Sequence, residues 1–251
     1  MQLLADGQLL IWFIAAIGFA AALYASVGHG GASAYLALMA LFAVTPDAMR
    51  PTALVLNICV AGIGAVRYVR SGQFDWKVFW PFAITAVPIA FFAGRVHLPE
   101  AIYRPILGAA LVLAGARYLL LPNLDVTKAI ARPKLAVALP AGAALGGLAG
   151  LTGTGGGIFL SPLLVFMGWA GAKEATGIAA LFIVVNSAAG LGGRLSSLQQ
   201  LPSELPYLIA AVLAGAWVGT TLNLKLFSKA MLLRALGVVL LVAGLALLFD
   251  L

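Results

Sequence analysis

The sequence predicts an all-α integral membrane protein, made of two inverted-topology repeats of about five helical elements each, with short or broken helices at glycine-rich breaks. Three observations carry that expectation. Of 251 residues, 63% are hydrophobic and 9% charged, against about 25% charged in an ordinary soluble domain. With a mean hydropathy of +1.08, the chain lacks the polar groups to cover a soluble globule, and it is too apolar to be disordered. Apolar segments recur along its whole length, and landmarks in the first half return at a nearly constant offset in the second.

The elements follow in order. Leu9–Val27 is a first span; no Lys or Arg precedes it and it is too long for a signal h-region, so no cleaved leader is expected. Ala32–Val44 falls short of the roughly 20 residues a full crossing needs and reads as a half-helix ending inside the bilayer. Thr52–Val66, Val78–Ala93 and Ile102–Leu121 complete the first half. The second half repeats the series as Leu135–Leu151, the short Ile158–Trp169, Ala175–Leu191, Leu205–Leu222 and Met231–Phe249. Residues 1–121 thus form one repeat, 122–134 a connecting loop and 135–251 the other, within one membrane domain.

The recurrence is specific. Gly28-His29-Gly30-Gly31-Ala32 stands 125 positions before Gly153-Thr154-Gly155-Gly156-Gly157, and the same offset links Pro81 to Pro206 and Gly94 to Gly219. In the last segment the offset is 129, pairing Gly108 and Gly115 with Gly237 and Gly244. Charge decides the orientation. If each half counts five direction changes, Arg67, Arg70, Lys77, Arg117, Lys128, Arg132, Lys134, Lys173, Lys225, Lys229 and Arg234 share one side, against Arg50, Arg95, Arg104 and Arg194. Four crossings per half would leave the charges nearly even, so only the five-element reading obeys the positive-inside rule. An odd number inverts the second half, as in secondary transporters, and puts both termini outside. The net charge of +7 then records orientation, and nucleic-acid binding is not expected. Cys59 is the one cysteine and reads as a small core residue. The histidines and carboxylates are too few for a metal or cofactor site.

The candidate site lies at the two breaks. Glycine at such density disfavours helix by about 1 kcal/mol per residue relative to Ala, and non-helical backbone at membrane depth survives only where protein or a wet cavity surrounds it. Each run, Gly28, His29, Gly30 and Gly31 in one half and Gly155, Gly156 and Gly157 in the other, opens a short helix. Its N–H groups and positive dipole end suit a small anion without any basic side chain. Close helix packing is the competing role for the same glycines. His29, the only titratable residue well inside an apolar region, is either an anion ligand, a proton-linked group or a neutral histidine bonded to carbonyls. Ser33, Thr152 and Thr154 offer hydroxyls for substrate or for capping, as do Ser26 and Ser161. Asn57 and Asn186 are buried amides on the following spans, either cavity-lining or gluing helices. Arg67 and Arg194 end those spans, as mouth charges or interface anchors. A Ser33–His29 hydrolase is conceivable, but neither an acidic partner nor a nucleophile elbow accompanies it, so no catalytic residue is assigned.

These glycine-rich breaks, the second running into Ile158-Phe-Leu-Ser-Pro162-Leu-Leu, and the Arg-Tyr-x-Arg-x-Gly-x-x-Asp-Trp loop at Arg67–Trp76 resemble the TauE/SafE sulfite-exporter family, also called TSUP transporters. The resemblance covers nearly the whole chain. The first half departs from the pattern at Ala32, in place of a third glycine, and at Ala37, where the second half has Pro162. The resemblance implies transport of sulfur-containing anions such as sulfite or a small organosulfonate, with export the commoner direction.

The residues and the resemblance together set the functional expectation: a multi-pass protein of a bacterial inner membrane, exposing a midplane anion site alternately to each side as one repeat bundle rocks against the other. An anion channel, a proton-coupled uptake permease using His29, and more distantly an intramembrane enzyme are the alternatives. Oligomeric state is not legible.

Overall fold

The computed structural model describes residues 7–26, 29–120, 131–195, 199, 201–221 and 229–249. Gly28 and most of the 122–134 loop, with Lys128 and Lys225, lie outside them. Ten helices are described and no strand: α1 (Gly7–Ser26), α2 (Ala32–Leu41), α3 (Pro46–Arg70), α4 (Trp76–Arg95), α5 (Glu100–Leu120), α6 (Leu135–Thr152), α7 (Gly157–Phe166), α8 (Ala172–Gly193), α9 (Leu205–Thr221) and α10 (Lys229–Phe249). Among the described residues, α1, α3, α4, α6 and α8 are long and apolar enough to cross a membrane. The short α2 and α7 stand where the sequence placed half-helices. The main difference is α3, which runs well beyond Thr52–Val66 at both ends. Pro46 sits at its start, where a missing N–H costs nothing, and Asp47 complements the dipole in its first turn. Arg50, Arg67 and Arg70 are therefore helical residues rather than loop charges.

Small residues decide which helices touch. Along α6, a Cβ on Gly142, Gly146 or Gly150 would run into the backbone carbonyls of Phe82, Ala86 and Ala90 on α4. Helices can approach this closely only where both faces are small. The contacts advance together along both chains, so α4 and α6 run parallel. The equivalent seam joins α1 to α9, where Gly215 meets the Gly18 carbonyl and Gly219 that of Ala22. On α5 and α10 the order reverses: Gly108 faces Gly244 and Gly115 faces Gly237, each Cβ position 2.8–2.9 Å from the other's carbonyl oxygen. These are the four glycines matched in the sequence, and here the two helices are antiparallel. α3 and α8 also run antiparallel, with Gly64 beside Ala180 and Gly190 beside Leu54.

The apolar interior forms two cores. One gathers residues of α1, α2, α3, α5, α9 and α10, including Tyr24, Tyr35, Leu56, Tyr103, Val212 and Leu240. The other gathers α4, α6, α7 and α8, including Phe82, Ala138, Leu164, Trp169 and Phe182. These cores cut across the two halves, because the glycine seams draw α4 to the second half and α9 to the first.

The seam predicts opposite signs for one substitution at two glycines. Gly146→Ala drives a methyl into the Ala86 backbone and lowers stability by about 1–3 kcal/mol. Gly62→Ala meets nothing within 4 Å and is neutral or gains up to about 1 kcal/mol from helix propensity. Thermal melting of the purified protein in detergent checks the pair.

Candidate functional site

Asn57 is the centre of the site. It stands about midway along α3, roughly 16–20 Å from either end at 1.5 Å per residue, and is fully buried. Its amide is spent on both breaks at once. Oδ1 accepts the Ala32 N–H at 3.2 Å, which serves the first turn of α2, where Gly31 supplies no side-chain cap. Nδ2 donates to the Thr154 carbonyl at 3.4 Å and to Ser187 Oγ at 3.2 Å. A Cβ at Gly30 would strike Asn57 Oδ1, and one at Gly155 would lie 2.5 Å from Asn57 Nδ2. Gly30 and Gly155 are the positions matched at offset 125, and both also pack on Ile183. Two breaks far apart in sequence thus meet on one side chain.

The second break is the more irregular. Gly155 and Gly156 both hold φ +75°, a left-handed conformation costing an ordinary residue roughly 1–2 kcal/mol each. Thr152 Oγ1 donates to the Leu148 carbonyl at 2.6 Å and lies 2.9 Å from Thr154 Oγ1. Gly157 packs on Ile183, and Gly156 on Phe182 and α6. At the first break, Tyr35 donates to the Gly30 carbonyl at 3.0 Å. The His29 N–H donates to the Tyr24 carbonyl at 2.9 Å, so the histidine lies on the turn between α1 and α2. Ser33 Oγ is 2.6 Å from the Tyr24 hydroxyl, a phenol rather than a base. Asn186, fully buried on α8, donates through Nδ2 to its own helix at Phe182. Its Oδ1 is buried without a hydrogen-bond partner, an acceptor open to water or a protonated ligand.

The structure treats the two arginines differently. Arg67 is exposed at the end of α3. Arg194 is 3% exposed and lies 4.0 Å from Asp47, beside a residue the sequence reading assigned only as a loop charge. That residue is Arg50, 2% exposed, whose guanidinium donates to the carbonyls of Gly150 at 2.9 Å and Val96 at 3.3 Å. It lies 5.4 Å from the centre of the Tyr103 ring, and the Tyr103 hydroxyl donates to the Thr152 carbonyl at 3.3 Å. Arg50 and Asn57 are seven residues apart on one helix and therefore share a face. That spacing was the available signal for Arg50; Ser187 carried only its adjacency to Asn186. Arg50, Arg194, Val96 beside Arg95, and Tyr103 beside Arg104 cluster at one end of the molecule, so the four arginines that the charge count grouped are neighbours in space.

Comparisons with known proteins agree on the class. The family model described as Sulfite exporter TauE/SafE matches residues 13–247. A relative from Sinorhizobium fredii, "Probable membrane transporter protein y4hK", is 39% identical over 248 residues, covering 98% of each chain. No solved structure matches.

The Asn57 geometry ranks two truncations. Asn57→Ala strands a buried N–H and a buried carbonyl, at about 1–3 kcal/mol for each group left unpaired, whereas Ser187→Ala removes one neutral bond worth about 0.5–1.5 kcal/mol. Melting in detergent is expected to show Asn57→Ala as the larger loss.

Proposed function

This chain belongs to the sulfite exporter TauE/SafE family of membrane transporters, and on that premise we propose that it is a secondary transporter of small anions, exporting sulfite or a small organosulfonate. The observation that carries the reading is the meeting of Gly30 and Gly155 on Asn57 at mid-depth. It brings the N-terminal ends of α2 and α7, each equivalent to roughly half a positive charge, to one place in a low-dielectric interior. The substrate site comprises Gly28, His29, Gly30, Gly31, Ser33, Asn57, Thr152, Thr154, Gly155, Gly156, Gly157 and Asn186. Backbone N–H groups supply the attraction, and the hydroxyls and amides set orientation. Arg67 serves the opposite mouth.

Pairing α5 with α10 and α3 with α8, antiparallel in each case, supports the inverted relation of the halves, because a helix and its counterpart then point opposite ways. The moving bodies follow the two cores rather than the two repeats, with α4, α6, α7 and α8 shifting against the remainder. The boundary between them holds the Arg50–Gly150, Tyr103–Thr152, Asn57–Thr154 and Asn57–Ser187 hydrogen bonds. In this reading the protein sits in a bacterial inner membrane with both termini outside, and alternate access exchanges that polar seam.

The inside-negative potential favours anion exit by about 2.3 kcal/mol per charge per 100 mV, so export runs as uniport and His29 contributes hydrogen bonding rather than obligatory proton transfer. Reconstituted into liposomes, the protein is expected to move sulfite with saturation and counterflow, in response to an imposed voltage and without need of a pH gradient. Strict dependence on the pH gradient replaces uniport by proton-coupled uptake through His29. Flux without saturation or counterflow replaces the carrier by a channel.

A further inference from the structure

Arg50 and Asp47 stand one turn apart on α3, and Arg194 reaches Asp47 at 4.0 Å, so two buried guanidinium groups gather about one turn of helix. Two cations taken out of water are costly unless anions neutralise them. The anion beside them is Asp47, whose side chain is 69% exposed and reaches Arg194 only at 4.0 Å. Capping the C-terminal carbonyls of α6 accounts for two donors of Arg50, through Gly150 and, across the seam, Val96. It does not account for the Arg50 Nε, which is buried and makes no hydrogen bond.

The surroundings lead both outward and inward. A cleft of about 270 Å³ is lined by Asp47, Glu100, Tyr103 and Arg104 among others, and reaches the arginines only through Asp47 and Tyr103. Glu100 is neutralised by Arg104 at 3.0 Å. The inner wall is Asp47, which pairs with Arg194, and Tyr103, whose ring covers Arg50. On the other side, Gly153 of the second break packs on the backbone of Arg50, its Cβ position 3.4 Å from the Arg50 Cα and carbonyl oxygen. Thr152 and Thr154 continue from there to Asn57.

We propose that Arg50 and Arg194 form a second oxyanion-binding station between this cleft and the Asn57 site, in which the Asp47 carboxylate holds the place of the transported anion. This rests on the anion-transport reading and adds to it. The substrate's charge is carried by guanidinium groups near one face and by helix ends at mid-depth, with Tyr103 closing the step between cleft and arginines. A departing anion is released to the cleft as Asp47 returns to Arg194, and an arriving one displaces it.

The distinguishing consequence is a gain of affinity on removing a charge. Sulfite, kept under argon, is the probe, with sulfoacetate as a second anion, presented from the face that carries Arg50. Asp47→Asn is expected to lower the KM about threefold and Arg194→Gln to raise it about tenfold, as loss of a charged hydrogen-bond partner does. Sulfite titration of the detergent melting temperature gives the same order. A role in helix capping alone predicts no gain in Asp47→Asn. An unchanged or raised KM in that variant overturns the proposal, as does an unchanged KM in Arg194→Gln. Should Arg194→Gln fail to fold, Asp47→Asn decides alone. Wild-type flux with both variants unchanged removes this station and leaves the transport reading standing. A wild-type protein that neither moves nor is stabilised by any anion tested removes both.

Discussion

A broken helix inside a bilayer has no water to satisfy its freed N–H and C=O groups, and the organisation of this protein answers that constraint. The two breaks are held against one another, with the Asn57 amide giving an acceptor to the first and donors to the second. One amide can serve both only if α3 brings it to mid-depth, if both breaks are stripped of side chains where they approach it, and if α8 closes the far side with Ile183 and Ser187. The glycine seams from α4 to α6 and from α1 to α9 supply the close packing that holds these elements in place. The same arrangement that removes the cost of unpaired backbone also gathers polar groups where the two breaks meet.

Much of this was legible in the sequence because composition and glycine spacing act directly on the backbone. The short α2 and α7 and the positions of the breaks follow from patterns that physics constrains tightly, whereas the contact of Gly108 with Gly244 and of Gly115 with Gly237 appears only in the fold. Helix ends were less legible. α3 absorbs Arg50 because Pro46 and Asp47 start a helix well before the apolar run begins, and no hydropathy count sees that. Tertiary roles were least legible. Asn57 read as either a cavity residue or interhelical glue, and only the fold reveals its partners, the Ala32 N–H, the Thr154 carbonyl and Ser187 Oγ. Arg67 and Arg194 look alike in sequence, yet Arg67 is exposed and Arg194 is buried beside Asp47 in the first turn of α3.

The division into halves is drawn from recurring sequence landmarks; the division into cores is about which surfaces adhere. They differ here because α4 joins the core of the second half, while α9 and α10 join that of the first. The cores are mainly apolar and internally stiff in the sense that dense packing imposes, although Tyr24 and Tyr35 make hydrogen bonds within the first. The polar contacts concentrate on the boundary between them, at Arg50, Tyr103 and Asn57. Hydrogen bonds with alternative partners nearby can be exchanged at low cost, whereas a displaced apolar seam leaves a void. The distribution of polar and apolar contacts therefore marks where the molecule can yield.

The helices that join across the halves also set the order in which the protein can be made. When α1 to α5 have entered the membrane, the small-residue faces of α1 and α4 have no neighbour, since α9 and α6 are still to be synthesised. The Ala32 N–H gains Asn57 early, but the Asn57 donors wait for Thr154 and Ser187. At that stage the first half has a polar amide and three small-residue faces, on α1, α4 and α5, without the partners they have in the finished protein. Its maturation depends on the ribosome finishing the chain, and the interval between inserting α5 and α9 is when quality control in the membrane has most to recognise.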